Sequence, residues 1–247
     1  MGCIDSSFME AVSAPRTSTV ADDVRSIAWW LLVGAAAGAV AGFVIGGVGG
    51  RLAMLLLRLT SPESVIGVIS DDGFEIGVVT TKTLNLLFGM TMLGAANGVL
   101  YAAVRSAIPR RLRVPLWAGF AATVGGATFV SEDGVDFTLL EPAALAIALF
   151  VALPGIAAAV IVVLVERWVV AEPWANRRTA VLYAGAAVVG TFALVLAAVV
   201  GVAALAIRRS GGGPVVARVA RIVVPIGLIG LGLWGGFNLV TKAARII

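Results

Sequence analysis

Charged residues divide this chain into long apolar runs. The uncharged intervals are residues 26–50, 83–104, 114–131, 142–165, 179–207 and 222–241. A helix rises about 1.5 Å per residue and the hydrocarbon layer is about 30 Å thick, so about 20 apolar residues cross it. All six intervals meet that length, with 114–131 the shortest. None alternates polar with apolar positions, which excludes a membrane β-barrel and leaves helices. The pattern therefore predicts an all-α polytopic membrane bundle of about six spans over residues 26–247. A polar tail, 1–25, precedes it.

Composition supports this. Of 247 residues, 60% are hydrophobic and 13% charged, against about 25% charged in soluble domains. There is one cysteine, Cys3, and no histidine. Intramolecular disulfides, histidine-ligated metals, haem held by histidine and histidine proton relays are excluded. The net charge is +4, and the basic residues flank the spans. They point to anionic lipid rather than nucleic acid as the partner.

Counting six crossings from a cytoplasmic N-terminus puts eleven basic residues on the cytoplasmic face and seven outside. The positive-inside rule favours that orientation, with both termini cytoplasmic. The densest basic cluster, "RSAIPRRLR", follows the second span. The Ala/Val/Gly-rich composition suggests a bacterium, hence an inner (plasma) membrane. The runs "GRLAM", "LTSPESVIG" and "SDDGFEIG" loosely resemble actinobacterial membrane proteins, which implies the same location and nothing about activity.

Two polar stretches stand out. "SDDGFEIG" begins at Ser70 and "SEDGVDFT" at Ser131, 61 residues later. At that offset Gly94 falls on Gly155, which suggests a tandem repeat of helical hairpins. Both motifs fall on the extracytoplasmic side of the predicted topology. Adjacent carboxylates before a glycine are how oxygen-ligand loops begin. Asp71, Asp72, Glu132 and Asp133 are thus the candidate ligands for a divalent cation, the one cofactor the pattern suggests. Solvated turns are the simpler reading. Arg51 and Arg58, seven residues apart on one helix face, are the competing counter-charges.

Within the first span Gly34, Gly38, Gly42, Gly46 and Gly50 recur every fourth residue. Such a row lets another helix approach closely, either in the same chain or in a homo- or hetero-oligomer. Asn97 is the main polar residue deep in a span. No Asp, Glu or Lys falls mid-membrane, which weakens proton-coupled transport and intramembrane hydrolysis. All six tryptophans fall toward the cytoplasmic half, as interfacial anchors do.

Together these features predict a small transporter, permease or channel-like subunit with an acidic extracytoplasmic mouth for a cation. The alternative is a scaffold, assembly factor or sensor that binds partners through the glycine-rich span and acidic loops. An enzyme acting on lipid-linked phosphate comes third, for want of any metal–phosphate signature.

Overall fold

The computed structural model describes residues 19–70, 73, 76, 81–169, 191–209 and 213–247. The described residues form helices, short turns and no ladder of strands. The first helix runs unbroken over Val20–Thr60, as α1 (Val20–Ala41), a π-helical stretch Gly42–Gly49 and α2 (Gly50–Thr60). There follow α3 (Lys82–Val104), α4 (Arg113–Phe129), the single turn α5 (Val135–Thr138), α6 (Ala143–Trp168), α7 (Thr191–Arg209) and α8 (Gly213–Ile246). Each of the six apolar intervals holds one of the long helices, in whole or in part. Four helices are long and apolar enough to cross a membrane: Val20–Thr60, Lys82–Val104, Ala143–Trp168 and Pro214–Ile246. α4 has 17 residues, and the described apolar part of α7 covers only Ala198–Ile207.

Thr19 starts the first helix. Its hydroxyl accepts from the Asp22 N–H at 3.2 Å, and its own N–H donates to the Asp22 carboxylate at 3.2 Å, a reciprocal cap. The helix stops where Ser61 turns extended ahead of Pro62, because the residue before proline disfavours the helical region.

α1 and α3 lie antiparallel and α4 and α6 do the same, and the two pairs pack together. One core cluster joins Trp29, Val33 and Ala37 of α1 to Tyr101 of α3, Trp117 of α4 and Ile161, Val162 and Val165 of α6. α7 covers the outer side of the first pair, where Gly201 meets Leu31 and Ile27. α8 runs parallel to α4, with Gly235 against Thr123 and Gly126 against Leu239. Gly94 and Gly155 do occupy comparable places, each at the close approach within its own hairpin. The two hairpins differ in the length of their first helix and of their loop.

The helices define two ends. The start of α1, the α3–α4 connection and the end of α6 form a basic end. The end of α2 and the loops before α3 and α6 form an acidic end. Here one expectation fails. Lys242 donates to the carbonyls of Ala127 (2.7 Å) and Val130 (2.8 Å), and Arg245 pairs with Glu132. The end of α8 therefore lies at the acidic end, opposite the start of α1, so these two helix ends do not share a face. The charge count had started a fifth span after Arg178, running away from the basic end. α7 instead runs back to that end: Gly201 sits by Leu31 and Ile27, and α8 starts a few residues beyond Arg209.

The reassignment sharpens the charge asymmetry. Among the residues whose side chains are described, eight arginines lie toward the basic end: Arg25, Arg105, Arg110, Arg111, Arg113, Arg167, Arg218 and Arg221. Three acids, Asp22, Asp23 and Glu166, accompany them, for a net +5. At the acidic end Arg51, Arg58, Lys82, Lys242 and Arg245 are balanced by Glu63, Glu132, Asp133, Asp136 and Glu141.

Candidate functional site

A cleft of about 330 Å³ lies between the two helix pairs, in the half of the bundle toward the acidic end. Its back wall is Gly42, Gly46 and Gly50 from the first helix with Pro154 and Ala157 of α6. Its side walls are Met90, Leu93 and Asn97 of α3, and Phe120, Val124 and Thr128 of α4. It extends from Arg51 and Met54 at one extremity to Asn97 and Ile161 at the other. Along the first helix Gly42 to Met54 is twelve residues, at most about 18 Å, because the π-helical part rises less per residue than an α-helix. Leu93 and Phe129 line the cleft and are also 52% and 38% exposed. The cleft thus reaches the outer, apolar surface of the bundle between α3 and α4.

Side-chain size explains why the helices part here. Toward the basic end the space is filled by Trp117, Tyr101, Val33 and Val165, all buried. Toward the acidic end the first helix presents Gly42, Gly46 and Gly50, with Ala157 on α6 beside them, and the larger Met90, Leu93 and Phe120 stand at the sides. The glycine row itself divides. A Cβ on Gly34 would lie 2.5 Å from the Gly98 carbonyl oxygen, and one on Gly38 or Gly42 would overlap the Gly94 or Met90 carbonyl outright. These three close α1 onto α3 within the chain. A Cβ on Gly46 would meet the flexible tip of Met90, and one on Gly50 would meet nothing within 4 Å. The π-helical stretch keeps the row on one face. A four-residue step overshoots an α-turn by about 40°. In a π-helix, bonded i→i+5, each residue turns through less, so the drift is reversed between Gly42 and Gly50.

A polar network closes the cleft from below. Asn97 accepts from the Trp117 indole N–H at 2.9 Å. The Trp117 ring lies 5.5 Å from those of Tyr101 and Phe120. Tyr101 donates to Glu166 at 3.0 Å. Glu166 is bound by Arg113 at 2.5 Å and lies 3.6 Å from Arg105. Arg113 also donates to the Ile108 carbonyl at 3.2 Å, which ties the α3–α4 connection to the cluster. Four segments are thus joined through one carboxylate at the basic end.

The acidic loops gather at the other end. Ile76 of the first and Phe137 of the second share an apolar cluster with Leu57, Val65 and Leu140. Ser61 and Thr60 bond to the backbone of Glu141. Each motif is closed by a backbone hydrogen bond at the same spacing: the Gly73 N–H donates to the Ser70 carbonyl at 2.9 Å, and the Gly134 N–H to the Ser131 carbonyl at 3.3 Å, but Gly134 has φ −71°. Gly73 has φ +77°, which glycine adopts without strain. Lys82 donates to the Gly73 carbonyl at 2.9 Å. Asp136 is buried, 2% exposed.

Of the candidate cation ligands, Asp71 and Asp72 lie outside the described residues. Glu132 is clasped by Arg245 at 2.9 and 2.8 Å. The counter-charge of Glu132 is therefore Arg245, while Arg51 and Asp136 each hold an interaction of their own. Arg51 lines the cleft. Arg58 lies two turns further on, half-buried. Among the described residues no group of three or more His, Cys, Asp or Glu side chains is placed to hold a metal.

Asn97 was legible as a buried polar group. Trp117, Tyr101, Glu166 and Arg113 were not read as site residues. Trp117 is a core residue, 3% exposed, rather than an interfacial anchor. One signal was available: Glu166 is the only acid between Glu141 and Glu172, and it ends an uncharged interval opposite an arginine cluster. Among the described lining residues Arg51 is the only ionisable group. Comparison with protein-family models, with curated proteins and with solved structures gives no match.

Proposed function

We propose that this chain is a small transporter or permease of a bacterial inner membrane, with the cleft between the helix pairs as its solute site. The observation that carries the reading is one-sidedness. The cleft occupies the acidic half of the bundle, while the Glu166 network shuts the basic half. A carrier caught with one gate closed has this form. Among the described side chains, the net +5 of the basic end against balance at the other supports a cytoplasmic basic end. The lining moves the solute class away from the cation that the acidic loops suggested. Among the described lining residues no carboxylate faces the cleft, and Arg51 does. An apolar or amphiphilic solute fits better.

The rival reading is a non-transporting scaffold. It is favoured by α8, whose Val219, Ile222, Ile226, Leu233 and Phe237 are all exposed. In a bilayer, lipid covers such a face without help from a partner.

Spin labels at Val24 on α1 and Arg167 on α6 separate the two readings, because they report across the basic end between the helix pairs. A carrier gives two distances in a bilayer, and Glu166→Gln shifts the population to the longer. A single narrow distance unchanged by Glu166→Gln would leave the scaffold.

A further inference from the structure

We infer that the cleft holds one acyl chain of an anionic phospholipid, which enters sideways between α3 and α4 and leaves its phosphate beside Arg51. This rests on the reading of the cleft as a solute site and names the class of solute. Three observations converge on it.

The first is access. The exposed rim residues Leu93 and Phe129 open the cleft onto the apolar flank of the bundle. A water-soluble molecule would have to cross hydrocarbon to reach that opening, whereas a lipid chain is already there. The second is form. The cleft runs at most about 18 Å along the helix axis, its described walls are almost wholly apolar, and its volume of about 330 Å³ lies within the range of small-molecule sites. Gly42, Gly46 and Gly50 supply a back wall without side chains. A linear chain parallel to the helices fills this shape better than a compact solute does.

The third is charge. The cleft's charged residue, Arg51, stands at its acidic extremity, while the inner extremity is Asn97 and Ile161. A guanidinium at one end of an apolar slot matches a phosphate at one end of an apolar chain, and it pairs with phosphate in bidentate fashion. Arg51 already holds another interaction in the protein. Five N–H donors leave room for the phosphate as well.

Fluorescence quenching tests this directly. Trp117 lies just under the inner end of the cleft, bonded to Asn97. A chain retaining only Trp117, with the other tryptophans changed to Phe, is placed in nanodiscs of phosphatidylglycerol brominated along its chains. Trp117 should lose most of its emission despite being buried, and brominated phosphatidylcholine should quench it less. Gly50→Leu and Ala157→Phe, which fill the cleft, should restore emission. Arg51→Gln should erase the preference for the anionic lipid. A chain retaining only Trp234, which is 62% exposed, is the quenched control.

Equal Trp117 emission in brominated and plain lipid, with Trp234 quenched, would overturn the inference. So would quenching that survives both filling variants. Equal quenching by the two lipids would overturn the headgroup assignment. If the single-tryptophan chain does not fold, native mass spectrometry of the wild type and Ala157→Phe replaces it. One phospholipid retained by the wild type and lost from the variant supports the inference, and equal retention overturns it. The spin-label distances remain independent. Two distances without quenching would mean a carrier of another solute, and quenching with one distance a static lipid site.

Discussion

The same four segments, the first helix with α3, α4 and α6, behave differently in the two halves of the bundle. Toward the basic end they close on Trp117, Tyr101 and Val165, and one carboxylate, Glu166, is bonded from three sides. Toward the acidic end they part around a cleft backed by glycine and alanine. What differs is side-chain volume along the back wall, where Gly42, Gly46 and Gly50 face the cleft, and with it whether apolar surfaces meet each other or leave room for something else. In a bilayer this choice is less costly than in water, because lipid chains are as apolar as the residues they touch.

The largest test of that contrast lies within the glycine row. Gly38 and Gly50 differ in what a side chain would meet: the backbone of Gly94 and Ala95 for the first, open space for the second. Gly38→Leu should cost at least the roughly 1–3 kcal/mol of ordinary overpacking, because the obstacle is backbone. Gly50→Leu should be neutral or stabilising by up to about 1 kcal/mol, since leucine is the better helix former. Thermal unfolding in one detergent reads both. Equal losses would mean that the row is uniform and the cleft is not open at Gly50.

A smaller effect should distinguish the two ends. Glu166→Gln removes the charge that joins Arg105, Arg113 and Tyr101 at half-buried positions, and should cost about 2 kcal/mol, as charged hydrogen bonds typically do. Arg245→Gln breaks a pair whose arginine side chain is 65% exposed, and exposed pairs contribute at most about 1 kcal/mol. The difference in melting temperature between the two variants measures how much more strongly the basic end is locked. Arg245→Gln matching or exceeding Glu166→Gln would reverse the assignment of closed and open ends.

The sequence made the outline readable and the packing much less so. Apolar intervals of spanning length located the helices, because the bilayer sets a length that charges cannot interrupt. The recurrence at Ser70 and Ser131 placed both motifs at one end of the bundle, but it did not show that Gly73 takes φ +77° and Gly134 φ −71°. Asn97 was visible because a carboxamide deep in a span needs a partner. The partner was not visible, since Trp117 reads equally well as an interfacial anchor. The spacing of the glycines could not show that Gly34, Gly38 and Gly42 close on α3 while Gly50 faces open space. That depends on the partner helix and on the π-helical stretch between them. The C-terminal end was misplaced because alternation counted charge-free intervals rather than crossings. Arg245, and with it the counter-charge of Glu132, was thereby put on the wrong face.

The central claim is that α6 turns one face to a cleft and the next to a packed core, and adjacent residues separate the two. Ala157 lines the cleft, whereas Ala158 is fully buried in the core. They sit at the same depth, so the bilayer or detergent affects them alike. The most direct measurement is the melting temperature of Ala157→Leu and Ala158→Leu side by side. Ala158→Leu should fall by about 5 °C or more, taking about 2–4 °C per kcal/mol for a chain of this size and the overpacking cost above. Ala157→Leu should stay at the wild-type value or rise. Equal losses, or a greater loss for Ala157→Leu, would contradict the cleft.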